Sequence, residues 1–407
     1  MKVSSPPTRV VVVGAGLAGL RTCAALRERG YTGTITAVGA EGVPPYDRPP
    51  LSKELLSRPE PAWLAAELGA DLQKLADEVH LADPAVALHP GGPHIVDLAS
   101  GNQVTADAVV LACGSRPVNP WPRALTLHTA ADAEELRRRL ARPGTQLVIV
   151  GAGWIGAEVA GVAAGAGAQV TVVEAAAEPL SRQVPAPLGA RTRPWYAAAG
   201  VQLRTGVPVA QVEPDGVGLA DGTHVPAEVV LAAIGVVPAT NWLSGTVPLG
   251  PDGHVHTDAD GRTQMPGIWA VGDCAWRTDP VFGQVPGGHW SAALHDPDRI
   301  AAAMLGLPEP EHRPAPFIYS TQLGHHLSVF GRVDGELVIR EYSGDGEDGG
   351  SWTALVLDEE HGVGAVIADM PRDVSAVRKL LGAGTLPRVD RDAVADTSVR
   401  LRRAVSA

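Results

Sequence analysis

The chain has 407 residues, 45% of them apolar and 19% charged, which is enough for two or three domains, each with its own core. A formal charge of −12 and an aromatic content of 4% argue against a nucleic-acid or anionic-membrane partner. The 47 glycines and 35 prolines follow no collagen-like period and point to many tight turns between short elements.

In chain order, the first element is a strand of four valines, residues 10–13, running into Gly14-Ala15-Gly16-Leu17-Ala18-Gly19 and an Ala/Leu-rich stretch of helical spacing. The same pattern returns 137 residues later. Residues 147–156 read L-V-I-V-G-A-G-W-I-G. A second pair repeats at an offset of 120 residues: V-V-L-A-C-G at 109–114 and V-V-L-A-A-I-G at 229–235. Two similar units of that size predict two dinucleotide-binding folds in one chain. In each G-x-G-x-x-G the first glycine allows the strand-to-helix turn. The second lets a pyrophosphate approach the backbone, and the third lets helix pack on strand. Gly14, Gly16 and Gly19 take these roles in the first unit; Gly151, Gly153 and Gly156 take them in the second. Ala15, Ile155 and Gly235, within or closing these motifs, are expected beside the ligands. Packing glycines of ordinary helices are the competing reading.

An acid at the end of the next strand binds a ribose diol. In the second unit Glu174 supplies it, 23 residues after Gly151, and Ala175, Ala176 and Ala177 follow. With a carboxylate and no arginine there, a 2′-phosphate is disfavoured, so NADH is expected over NADPH. In the first unit the strand 34–38 is followed by Gly39-Ala40-Glu41. Glu41 is the nearby acid, a ribose ligand or a loop glutamate. Cys23, Cys113 and Cys274 form no C-x-x-C pair and read as isolated thiols, without a zinc cluster or disulfide framework. No metal site is expected; His325 and His326 read as neighbours pointing apart. No apolar run is long enough to span a membrane, and four valines are too short for a signal-peptide core. The expected location is the cytoplasm.

Residues 46–53, Y-D-R-P-P-L-S-K, and 267–275, G-I-W-A-V-G-D-C-A, add specificity. With the two glycine motifs they resemble the FAD-dependent, NADH-using ferredoxin reductases of the putidaredoxin, rubredoxin and biphenyl-dioxygenase type, over essentially the whole chain. The resemblance implies an α/β fold with two Rossmann-like dinucleotide-binding domains and a C-terminal α+β domain. The FAD domain would be 1–122 with 245–315, the NAD domain 123–244, and the C-terminal domain, covering the flavin, 316–407. A proline-rich linker at 308–316, strands around 337–339 and 354–357, and a helical run at 374–381 agree with that last unit. The resemblance also implies that Arg48 and Lys53 contact FAD, where a cation stabilises negative charge developing on the flavin. Asp273 would bind the ribityl chain, or serve as a helix N-cap. Trp290 would lie near the flavin ring, or in a core, and Glu158 beside the nicotinamide, or as a first-turn acid.

Several positions depart from the family pattern. The ribose acid expected at position 40 is Ala40, an FAD-contacting arginine is His128, and the threonine of A-T-G is Cys113. The family's E-x-W-x-N-A becomes Gly288-His289-Trp290-Ser291-Ala292-Ala293, and its W-S-D-Q becomes Tyr319-Ser320-Thr321-Gln322. The implied activity carries electrons from NADH through FAD to a 2Fe-2S or related ferredoxin serving a monooxygenase or dioxygenase. The enzyme would be a monomer or weak homodimer and needs no protein nucleophile or acid–base pair. One alternative is direct reduction of oxygen, a quinone or a small biosynthetic intermediate. Another is a redox-sensing flavin binding protein. A ferredoxin would need a local basic patch, with Arg378, Lys379 and Arg299 as candidates.

Overall fold

The structure is a computed structural model that describes residues 6–310, 314–342 and 350–406. The linker at 308–316 lies partly outside the described residues. The chain forms two compact units. One comprises Met1–Asp47, Ala62–Arg116 and Val237–Pro316; the other comprises Arg48–Pro61, Pro117–Val236 and Phe317–Ala407.

In the first unit a parallel sheet runs in the order Ile268–Ala270, Ala108–Leu111, Arg9–Val13, Thr34–Val38, Glu78–His80. Val10, Val11, Val12 and Val13 are all buried, as a central parallel strand covered on both faces requires. Alternation along that strand divides them. Val10 and Val12 join a core with Leu20 and Ile300; Val11 and Val13 join another with Leu88 and Leu243. The helices Leu17–Glu28 and Trp290–Met304 pack together on the first of these faces. Just past the first helix, Arg29 grips Asp298 through Nε (2.7 Å) and Nη2 (2.8 Å).

The second unit repeats the arrangement. Its parallel sheet runs Gln202–Thr205, Gln169–Glu174, Gln146–Val150, Val229–Ala232. Leu147 and Ile149 face a core with Leu188 and Trp195, while Val148 and Val150 face Val217 and Val225. The central strand again leads into a helix, Trp154–Gly165.

The same unit contains an antiparallel sheet in the order Phe317–Gln322, His325–Gly331, His361–Ala368, Trp352–Asp358, Glu336–Glu341. Its first hairpin turns on Leu323 (φ 54°) and Gly324 (φ 89°), a two-residue turn with both central φ values positive. The helical run expected at 374–381 begins earlier, as Pro371–Leu381, because Pro371 fits the first helical turn, where its missing N–H is not needed. Mixed α/β architecture with two parallel nucleotide-type sheets and an α+β C-terminal part is therefore the observed fold class. Among the described residues no helix is long and apolar enough to cross a membrane.

Candidate functional site

Both glycine loops lie at the carboxyl end of the central strand of a parallel sheet, beside the point where strand order reverses. In open α/β sheets that crevice is where ligands bind. In the first loop Gly14 has φ 124°, and a Cβ on it would stand 1.9 Å from the Ala112 carbonyl oxygen. A Cβ on Gly19 would stand 1.8 Å from the Gly14 oxygen. Both positions are closed to any side chain. Gly16 is the opposite: nothing lies within 4 Å of where its Cβ would be. It caps the helix Leu17–Glu28 without a side-chain hydrogen bond, so the first-turn amides keep their capacity for a ligand. Backbone packed below and open above is the shape a pyrophosphate requires.

Other groups of the first unit gather on this loop. Gly39 packs against Ala15, where a Cβ would come within 2.8 Å of the Ala15 Cβ. Glu41 is exposed and accepts a hydrogen bond from Tyr46 Oη (2.5 Å). Asp273 sits in the 3₁₀ turn Gly272–Cys274, and its Oδ2 accepts from Ser115 Oγ at 2.8 Å. It does not cap that turn, whose N-cap is Val271, so the simple capping role is not the one observed. A Cβ on Gly272 would meet Ala18 at 3.0 Å, and one on Gly287 would meet the Asp273 Cα at 2.7 Å. Close backbone approach thus stacks the Asp273 turn between the first helix and Gly287. Trp290 opens its helix half-buried, with Nε1 donating to Asp47 Oδ1 at 2.7 Å. Its neighbour His289 has its pKa lowered by burial, and its Nδ1 lacks a partner among the described residues.

The second loop follows the same rules. Gly151 has φ 107°, and a Cβ on it would stand 2.4 Å from the Ala233 oxygen; one on Gly156 would stand 2.1 Å from the Gly151 oxygen. Gly153 is the least confined of the three: a Cβ there would meet no packed backbone, only the end of a side chain, Gln183 Nε2, at 3.3 Å. Gly235 has φ 108° and faces Arg182. Ile155 is half-buried and packs on the core of this unit. The Glu174 carboxylate reaches back across the loop. Its Oε2 accepts from the Ala152 amide and its Oε1 from the Ala176 amide, both at 2.8 Å. Each carboxylate oxygen has a second lone pair for a ribose hydroxyl. Glu174 therefore also fastens the glycine loop to the strand end, a duty its sequence position does not reveal.

Glu158 is 3% exposed. It receives Lys53 Nζ at 2.6 Å, Ser52 Oγ at 2.5 Å and Ser320 Oγ at 2.5 Å. Lys53 also stands 5.0 Å from the centre of the Tyr319 ring. Two residues that sequence reasoning gave to different cofactors thus form one buried ion pair. Arg48 donates from Nη1 to the carbonyl of His128. Sequence reasoning did not single out Ser52, Asp47, Ser115, Gln183 or Ser320 as partners. Ser52 and Asp47 lie in Y-D-R-P-P-L-S-K and Ser320 lies in the Tyr319-Ser320-Thr321-Gln322 stretch, whereas Ser115 and Gln183 carry no local signal.

Three expectations are corrected or sharpened. Arg299 is 7% exposed and donates to the Ala259 carbonyl at 2.7 Å, so it offers no docking surface. Cys113 and Cys274 are not isolated. The neighbouring Cys274 thiol and burial together raise the Cys113 pKa, while Cys274 Sγ itself donates to the carbonyls of Leu111 (3.2 Å) and Val271 (3.4 Å). Strand pairing brings them together, because Ala270 lies opposite Leu111 in the ladder. His325 and His326 do point apart: His325 Nδ1 meets Asp369 Oδ2 at 2.6 Å, and His326 Nδ1 meets Thr321 Oγ1 at 3.1 Å. Among the described residues Glu213, Asp215 and His224 lie close enough to share a cation, on an open surface where His224 already pairs with Glu213 at 3.3 Å.

Residues 8–296 match the pyridine nucleotide-disulphide oxidoreductase family, and residues 317–405 match the reductase C-terminal family. The ferredoxin–NAD(+) reductase component of the p-cumate 2,3-dioxygenase system of Pseudomonas putida is 32% identical over 97% of this chain and 98% of its own. The ferredoxin–NAD(+) reductase subunit of the benzene 1,2-dioxygenase system of Pseudomonas putida is 34% identical over 98% of each chain. The structure of a covalent putidaredoxin reductase–putidaredoxin complex superposes with a TM-score of 0.87 at 29% identity, over 98% of each chain.

Proposed function

Because this chain belongs to the pyridine nucleotide-disulphide oxidoreductases, and among them to the NADH-dependent ferredoxin reductases of oxygenase systems, we propose that it passes electrons from NADH through FAD to a 2Fe-2S or related ferredoxin serving a monooxygenase or dioxygenase. The observation that carries the proposal is the duplicated strand–loop–helix unit, each copy closed by backbone at its first and third glycines and clear of packed backbone at its second. FAD, when bound, supplies the conversion of a two-electron delivery into single-electron steps. The residues of the chain bind, orient and tune.

In this reading Gly14, Ala15, Gly16 and Gly19 hold the FAD pyrophosphate, Asp273 the ribityl chain and Glu41 the ribose. Trp290, fixed by Asp47, packs beside the flavin. Gly151, Gly153, Ile155, Gly156 and Gly235 form the NADH cradle, and Glu174 holds its adenosine ribose. Arg48 and Lys53 supply positive charge toward the flavin, and Glu158 orients Lys53. The FAD domain is then 1–122 with 245–315, the NAD domain 123–244 and the C-terminal domain 316–407. The order of the first parallel sheet supports that division, since Ile268–Ala270 joins the strands of the amino-terminal segment. Three free thiols agree with a cytoplasmic location; in this reading the protein acts as a monomer or weak homodimer. NADH oxidation by the FAD-loaded enzyme should rise severalfold with a 2Fe-2S ferredoxin; a rate indifferent to every ferredoxin in a panel would refute the proposal.

NADH is expected to be preferred over NADPH, because Glu174 would face the 2′-phosphate with like charge. Glu174→Gln keeps an acceptor for one loop amide and should narrow the ratio of kcat/KM values by roughly 10–100-fold, about 1–3 kcal/mol. Equal values in the unaltered enzyme would mean that the ribose lies elsewhere.

Ferredoxin docking is expected on the helix Pro371–Leu381. Arg378 and Lys379 are exposed there, and the Arg378 guanidinium stacks 5.0 Å from the Phe317 ring centre. Reversing both charges should lower ferredoxin-dependent turnover, most strongly near 0.01 M salt, where the Debye length is roughly 30 Å. Turnover with a neutral quinone should be unchanged. Equal losses with both acceptors would indicate damage at the flavin, and no loss with ferredoxin would remove this helix from the docking surface.

A further inference from the structure

We propose that Arg193 is a latent 2′-phosphate site held closed by Glu178, which makes Glu178 a second determinant, beside Glu174, of the choice between NADH and NADPH. This inference rests on the reading that Glu174 faces the adenosine ribose.

The three alanines after Glu174 carry no charge, so sequence spacing alone finds no cation for a 2′-phosphate. The fold brings one from a helix further along the chain. Arg193 opens the helix Arg193–Ala198, and its Nη2 donates to the Ala177 carbonyl at 2.7 Å and to Thr205 Oγ1 at 2.6 Å. Thr205 is the residue paired with Glu174 in the parallel ladder, where neighbouring strands lie about 4.8 Å apart. Glu174 itself grips the Ala176 amide. The guanidinium is thus fastened to the same short loop, one residue beyond the amide that the ribose acid holds.

Its charge is already answered. Arg193 Nε meets Glu178 Oε2 at 2.5 Å, and the two side chains are 43% and 25% exposed. A 2′-phosphate approaching this loop would meet a neutralised pair and the carboxylate of Glu174. With Glu178 made neutral, the arginine would keep its anchors on Ala177 and Thr205 and regain an uncompensated positive charge. Guanidinium suits a phosphate because it offers several donors in a planar fork. Glu178 acts through Arg193 and is a positioning residue; it need not touch the nucleotide.

Calorimetric titration of the full-length FAD-loaded protein with adenosine 2′,5′-bisphosphate and with 5′-AMP tests this, alongside kcat/KM for NADPH and NADH. Glu178→Gln should tighten the bisphosphate relative to AMP by about fivefold, the range of one exposed ion pair, and the gain should shrink at 0.5 M salt. Combined with Glu174→Gln the gain should be larger, and adding Arg193→Ala should abolish the share due to Glu178. The proposal is overturned if Glu178→Gln gives no gain in either background, or if the gain survives Arg193→Ala. If Glu174→Gln leaves the discrimination untouched, the placement of the ribose is wrong and this inference falls with it.

Discussion

Replacement of Gly19 by alanine is expected to give a protein that purifies without FAD. The added Cβ would stand 1.8 Å from the carbonyl oxygen of Gly14, a backbone atom that cannot swing aside. Relief requires the helix Leu17–Glu28 to lift from the strand Arg9–Val13, which moves the amides proposed to face the pyrophosphate. Overpacking of this kind costs roughly 1–3 kcal/mol or more. Each 1.4 kcal/mol lost from binding is about tenfold in affinity. Gly156→Ala makes the equivalent collision, 2.1 Å from the Gly151 oxygen, in the other unit. It should retain FAD while its reduction by NADH becomes at least tenfold weaker in KM. Gly165→Ala is the control: nothing lies within 4 Å of that position, and alanine favours a helix over glycine. Flavin absorbance against protein concentration reads the first effect, and rapid mixing with NADH reads the second. A Gly19→Ala protein with full flavin content would remove the first loop from the FAD site.

The elements legible from sequence were those whose signal is local. The valines of 10–13 and the L-V-I-V run at 147–150 sit directly before glycines that must turn, so strand, turn and helix are written within a dozen residues. In both G-x-G-x-x-G loops backbone closes off the first and third glycines and leaves the second clear of backbone, as their spacing implies. Glu174 was legible as a strand-end acid, yet its hold on Ala152 and Ala176 was not, because it depends on how the loop folds back. What escaped sequence reading depends on chain segments that meet only after folding. Lys53 and Glu158 are 105 residues apart, and neither motif mentions the other. Cys113 and Cys274 meet because two parallel strands align in register, not because of any spacing. Arg299 lies on a helix whose sequence does not disclose that this face is turned inward. The same limit hid Arg193, which approaches the loop after Glu174 from a helix that begins 19 residues later in the chain.

Glu158→Ala is expected to be the most damaging single change to the second unit. The carboxylate is 3% exposed, and its partner Lys53 is 17% exposed, so little solvent is at hand to replace the lost charge. Removing one member of such a pair leaves the other uncompensated, and the typical cost is about 3–5 kcal/mol. Ser52 and Ser320 would lose their acceptor as well. Glu158→Gln keeps the volume and one acceptor, and should cost less. Lys53→Met removes the opposite charge and leaves the Glu158 carboxylate facing the hydroxyls of Ser52 and Ser320. Because the two side chains share one interaction, the double variant Lys53→Met with Glu158→Gln should be more stable than the sum of the single losses predicts, by about 1–3 kcal/mol. Urea unfolding of the FAD-loaded proteins measures this coupling. A structural pair would show that coupling alone. A pair that also holds Lys53 toward the flavin should slow flavin reduction by NADH in Glu158→Gln at saturating NADH, changing kcat more than KM. Strict additivity of the stability losses would mean that the ion pair contributes nothing in solution, and an unchanged reduction rate in Glu158→Gln would confine Glu158 to a structural part.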